Sequence, residues 1–319
     1  MHRHLSRRGL LGAALAPLLG GCDRSPGGRA PLPEIPAPQP STTVTAATGL
    51  VAVPGEPLRV VVLDTAELDS AMTLGITPAG ACRVAADPDP GGYWDAGRLA
   101  KTAAVGIVGD PDLDRIRELR PQLILGNQTR DGARYDALRA IAPTVLTATT
   151  GYPWRENFLL HARALGRQSA ADAVVAANRT QLAQTGRAIG GAGAGGRRIS
   201  VVRFVEDGRI RLYGRQNFLG TLLADLPLDR PDAQNVDRFD VEVAPDQLAG
   251  ADGDLLIYAT HGARGAAQAA AVLASPAWQA LGAVKAHRVF RVDDRLWFEG
   301  IGYTGANLVL GQLQTMLGA

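Results

Sequence analysis

Two cysteines in 319 residues rule out a disulfide framework, and only five histidines are present, two of them within the first four positions. The remaining three, His161, His261 and His287, are far apart in the chain, which argues against a carrier that would grip bare zinc or manganese with several imidazoles. Any metal is therefore expected to arrive already chelated. No Gly-x-Ser-x-Gly elbow and no phosphate-binding loop ending in Gly-Lys-Ser/Thr occurs, so serine hydrolysis and nucleotide hydrolysis lack a nucleophile or a cradle. Gly191-Ala192-Gly193-Ala194-Gly195-Gly196 satisfies the dinucleotide fingerprint in letters only. It follows a helical pattern and precedes a strand, the reverse of the order that aims a helix N-terminus at pyrophosphate. No apolar run reaches the roughly 20 residues that span a bilayer as a helix.

What is present begins at the N-terminus. Arg3, Arg7 and Arg8 precede the apolar stretch 9–19, which ends in Gly20-Gly21, the pattern of a signal peptide over residues 1–21. Ser6-Arg7-Arg8-Gly9-Leu10-Leu11 resembles a twin-arginine export signal, and Leu19-Gly20-Gly21-Cys22 resembles a bacterial lipobox in which Cys22 becomes the acylated first residue. The expected location is the outer face of the cytoplasmic membrane, with a lipid anchor. Removing residues 1–21 takes three arginines from 33 Lys+Arg and leaves 30 against 31 Asp+Glu. A near-neutral chain gives no reason to expect nucleic acid as a partner. Cys82, in Ala79-Gly80-Ala81-Cys82, is expected as a buried, inert thiol.

Residues 22–57 carry closely spaced prolines, Pro31, Pro33, Pro36, Pro38 and Pro40, and read as a tether. From 58 onward, short apolar runs such as Val60-Val61-Val62-Leu63 and Leu123-Ile124-Leu125 alternate with helical patterns, which implies parallel-rich sheets. A second block of the same kind starts at Ile199. Between them the Ala-rich stretch 169–189 predicts one stiff helix of roughly 30 Å, with Ser169 and Asp172 as a capping-box-like start. The expected fold is α/β: an N-terminal lobe at 58–168, the helix at 169–189, a C-terminal lobe at 190–319, and a ligand cleft between lobes that move little. A monomer is expected.

The C-terminal third is more specific. Ser275-Pro276-Ala277-Trp278-Gln279-Ala280-Leu281, then Ala283-Val284-Lys285-Ala286-His287-Arg288-Val289, then Leu296-Trp297-Phe298 resembles the iron-siderophore periplasmic-binding proteins, particularly their hydroxamate-binding branch. Arg59 to Pro78, Val105 to Ile124 and Ala140 to Val145 agree with it in order along the chain. The resemblance implies a non-enzymatic carrier with no cofactor. Its ligand would be a ferric siderophore, hydroxamate-type favoured, and its partner an ABC permease driven by a cytoplasmic ATPase.

A ferric siderophore presents anionic oxygens and organic faces, so guanidinium groups and aromatic walls are the residues to seek. Arg130 lies just past the strand ending at Gly126, where loops open onto a crevice. Arg203, inside Val201-Val202-Arg203-Phe204, either faces the cleft or pairs with a buried carboxylate. Tyr213, Arg215, Tyr303 and Trp94 are further candidates, Tyr213 with core packing as the alternative. The resemblance places a ligand-stacking tryptophan at Trp297. It also implies permease docking through Asp114 and Asp246, both otherwise readable as helix N-terminal carboxylates. A haem or cobalamin carrier of the same fold, with His261 coordinating, and an envelope hydrolase are the alternatives.

Overall fold

The computed structural model describes residues 41–85 and 92–319. The signal peptide, the lipobox with Cys22 and the proline cluster lie outside these residues. Part of the expected tether does not: β1 (Ser41–Ala46) and β2 (Gly49–Pro54) form an antiparallel hairpin. Its Val44, Val51 and Val53 are buried in the main core, and the amide of Ala47 donates to the carbonyl of Leu146. The alternation Val44/Ala46 and Val51/Val53 is the period-2 signal of a half-buried hairpin, and the prolines upstream of it had masked it. Residues 41–54 are therefore part of the folded body and not of a tether.

The first large sheet is six-stranded: β3 (Val60–Val62), β4 (Gly80–Arg83), β5 (Ala103–Ile107), β6 (Asp110–Pro111), β7 (Leu123–Asn127) and β8 (Thr144–Thr147), in the spatial order β6-β5-β4-β3-β7-β8. All neighbours are parallel except β5 and β6. The order reverses between β3 and β7, and a crevice at such a switch point opens beyond the strands' carboxyl ends. The second sheet holds β9 (Ile199–Phe204), β10 (Ile210–Tyr213), β11 (Asp240–Val243), β12 (Leu255–Thr260) and β13 (Val289–Arg291), in the order β11-β10-β9-β12-β13. Here β9, β12 and β13 are parallel and β10 runs against β9.

A 24-residue helix, Gln168–Gly191, leads from the first sheet's lobe to the second. It has Arg167 at its N-cap and no side-chain cap, so the capping box read at Ser169 and Asp172 does not form. The C-terminal helix Tyr303–Leu317 returns to pack against this helix and against the helix Thr65–Thr73 of the first lobe. Buried Asp69 receives the amides of Thr304 and Gly305 at its start. One continuous apolar core consequently runs from Val60, Leu123 and Leu125 to Ile199, Val201 and Ile257. Trp154 binds the two lobes further, its indole N–H donating to Thr221 Oγ1 at 2.9 Å and its ring packing edge-on against Phe218. Cys82 is buried, and burial raises its thiol pKa.

Candidate functional site

Side chains from the carboxyl ends of both sheets line one cleft of ≈ 340 Å³, among them Asp64, Arg130, Arg203, Arg211, Tyr213, Phe239, His261 and Phe298. Two adjoining cavities share His261 with it.

On the first lobe, Asp64 ends the run after β3 and Arg130 follows β7, the two strands at the switch point. Arg130 lies in a short helix, Gln128–Asp131, whose first turn is fixed by Asn127 accepting the Arg130 amide at 3.2 Å. Its guanidinium Nε is 2.8 Å from Asp64 Oδ2, which also takes the Asn127 side-chain amide at 3.0 Å. Asp64 is buried while Arg130 is 44% exposed. The carboxylate thus aims the guanidinium and leaves part of it open to the cleft. Two more buried acids sit below: burial and the nearby Asp64 push Glu67 well up, and burial pushes Asp131 up to about 6. Glu67 Oε1 lies 3.9 Å from the Nε2 of buried His161, whose pKa burial lowers to about 3.

On the second lobe, Arg203 and Arg211 are direct partners across β9 and β10. Arg203 is nearly saturated: Nε and Nη2 hold Asp294 at 2.7 and 2.5 Å, Nη2 reaches Glu299 at 3.3 Å, and Nη1 reaches the Tyr213 hydroxyl at 3.4 Å. Both readings of Arg203 therefore hold, since it lines the cleft and pairs with a carboxylate. Arg211 is looser. Its Nε is 3.3 Å from Asp240 Oδ2 but is not aligned for a hydrogen bond, so the contact is an ion pair without one. His261 Nδ1 lies 3.1 Å from Asp294 and 3.3 Å from Glu299, and hydrogen bonds to Asp294 and Glu299 raise the ring's pKa to about 9.

The ligand atoms of His261, Asp294 and Glu299 lie within 4.8 Å of one another, close enough for a cation. The guanidinium of Arg203 already occupies that role, and a second cation there would be repelled. Iron is accordingly not expected to bind this triad directly.

Several expected residues lie elsewhere. Trp297, expected to stack on ligand, is 0% exposed and donates its indole N–H to Gln312 Oε1 at 2.7 Å. The next residue, Phe298, is the one that lines the cleft, because the helical turn Asp294–Trp297 points Trp297 inward. Tyr303 is buried against Trp154 and Phe158 and borders a different cavity, on the side of the long helix. Arg215 holds Asp237 and Asn235 at an exposed turn, and Trp94 packs beside Tyr93 under Arg98; neither lines the cleft. Tyr213 does line it, though buried. Asp114 is 88% exposed in the first turn of the helix Leu113–Glu118 and pairs with Arg117. Asp246 is exposed at a turn after β11. Arg211 went unread, although its place between buried Ile210 and Leu212 is the signal of one cleft-facing side chain in a strand.

Two α/β lobes with cations lining the cleft between them have the architecture of a substrate-binding protein. The family model described as "Periplasmic binding protein" matches residues 60–296, and the chain belongs to that family. It is 30% identical over 274 residues to the probable siderophore-binding lipoprotein YfiY of Bacillus subtilis (strain 168), covering 82% of this chain and 83% of that one. It is 27% identical over 263 residues to the Fe(3+)-citrate-binding protein YfmC of the same organism, 79% of each. Among solved structures, Staphylococcus aureus SirA complexed with staphyloferrin B superposes with a TM-score of 0.79 at 26% identity, covering 87% of this chain and 98% of that one.

Proposed function

We propose that this protein captures a ferric siderophore outside the cytoplasmic membrane and delivers it to an ABC permease driven by a cytoplasmic ATPase. The observation that carries the reading is the convergence on one cleft of Arg130 from the first lobe and Arg203, Arg211 and His261 from the second. Guanidinium and imidazolium groups suit the anionic oxygens on the outside of an iron chelate, and Tyr213, Phe239 and Phe298 supply flat walls for its organic part. The descriptions of YfiY and YfmC, both naming siderophore or ferric-chelate binding, support it.

A hydroxamate-type chelate remains the favoured class on the family resemblance and the arginines, while the buried Trp297 supplies no stacking wall for it. Anchoring through Cys22 and docking through exposed Asp114 and Asp246, one on each lobe, complete the proposal; charge steering suits such a docking step. Among the described residues no helix is long and apolar enough to cross a membrane.

The test is calorimetric titration of the chain from residue 41 with ferric hydroxamate, ferric catecholate, ferric citrate, haem and cobalamin. Saturable binding of at least one ferric chelate, weakened in Arg130→Gln, is the expected result. Binding of haem or cobalamin alone would move the protein to a different ligand.

A further inference from the structure

His261 follows β12 directly, and Gly262 after it has left-handed backbone, φ +72°, where a Cβ would strike the Glu206 carboxylate at 1.9 Å. This turn seats the imidazole at the meeting point of all three cavities of the cleft. Its two nitrogens have different surroundings. Nδ1 faces Asp294 and Glu299, whose carboxylate oxygens only accept, and Arg203 Nη2 at 3.2 Å, which only donates; two carboxylates against one guanidinium leave a net negative charge beside the ring, which favours its protonated form. For Nε2 there is no protein partner among the described residues, and the ring is 23% exposed.

We propose that His261 is a specificity-determining residue of the ligand site, donating its Nε2–H to an anionic oxygen of the bound chelate while Asp294 and Glu299 hold the ring by Nδ1. This rests on the proposed ferric-chelate function. It goes beyond it by assigning Nε2 a donor's role, the opposite of the lone pair that the same nitrogen would offer a haem or cobalamin metal.

The hydrogen bonds to Asp294 and Glu299 support the same state, raising the ring's pKa to about 9 although burial lowers it. The ring's other charged neighbours are Arg203, which touches it at 3.2 Å, and Asp64, Arg130, Glu206, Asp207, Arg211, Arg291, Asp293 and Arg295, which share its cavities. Arg203 works against the proton and the paired acids outweigh it.

Two measurements test this. Imidazole nitrogen NMR of the wild-type chain at pH 7 should show both nitrogens of His261 protonated. The affinity for whichever ferric chelate binds in the panel above should drop about 10- to 100-fold in His261→Leu, the range expected when a charge-assisted hydrogen bond is lost. His261→Gln, which keeps a neutral N–H donor, should lose less. Wild-type affinity should fall as pH rises through about 9, and neither variant should show that step. A neutral His261 at pH 7, or a leucine variant that binds as well as wild type, would overturn the inference while leaving the ferric-chelate reading intact. If no ferric chelate binds wild type and haem binds with a His261-dependent absorption change, both fall.

Discussion

Arg203 and Arg211 stand opposite each other on adjacent antiparallel strands, an arrangement that costs stability when like charges face one another. Asp294 and Glu299 compensate the first, and Asp207, Asp240 and Glu242 surround the second at 3.3–3.8 Å. Arg211→Gln removes the repulsion and these ion pairs together, so it is expected to change thermal stability little while weakening chelate binding about 10-fold or more, measured by calorimetry and thermal unfolding on one sample. Trp297→Phe should do the opposite. It keeps affinity and lowers stability by about 1–3 kcal/mol, because it opens space in the core and strands Gln312.

His161 gives a pH prediction at the same scale. Its folded pKa, about 3, lies below the unfolded value of about 6.5. The unfolded chain thus binds the proton more readily, and the stability present above pH 6.5 is lost as pH falls toward 3. Asp131, raised to about 6 by burial, acts the other way, because the folded state takes up its proton first. Chemical denaturation at pH 7 and pH 5 isolates the histidine: wild type should lose about 2 kcal/mol more over that interval than His161→Gln. Equal losses would mean that the ring is not held neutral. Arg130 could be read from the chain because it follows a strand at a crevice. Trp297 and Phe298 could not be told apart, since one residue of helical phase decides which of them faces the ligand.

At the scale of elements, the sheets, the long helix and the C-terminal helix were legible from apolar runs and periodicity, and the hairpin at 41–54 was not. Its short strands follow a proline cluster, and composition averaged over the segment hid two alternating runs. A chain starting at Leu58 would bare the surface that Val44, Val51 and Val53 cover. Three buried valines at about 1.5 kcal/mol each amount to about 4–5 kcal/mol, so that chain should melt well below one starting at Ser41. Equal melting temperatures would make the hairpin an ornament of the fold. The presentation of Arg130 is also a matter of elements: β3 delivers Asp64, β7 delivers Asn127, and the next turn delivers the guanidinium.

Over the whole molecule, the lobes are joined by more than the helix Gln168–Gly191. The C-terminal helix, Asp69 at its start, the Trp154–Thr221 bond and the Arg155–Asp225 ion pair all cross between them. Lobes tied at so many points are expected to close little around a ligand, which favours a preformed cleft. That division of labour, a rigid frame with charged strand ends, is why the fold could be read from patterns spread along the sequence while the site could not. Its residues come from 64, 130, 203, 211 and 261, and only the two sheets' topology brings them together. The most direct test is to mix the chain with a ferric chelate, pass it through a size-exclusion column, and assay iron and chelator in the protein peak. Iron and chelator should co-elute with the protein in the ratio of the chelate supplied, and both should be lost from the Arg130→Gln/Arg211→Gln double variant. Retention of bare iron without the chelator, or a double variant that carries the complex as well as wild type, would contradict a cleft built to hold an iron chelate by its anionic surface.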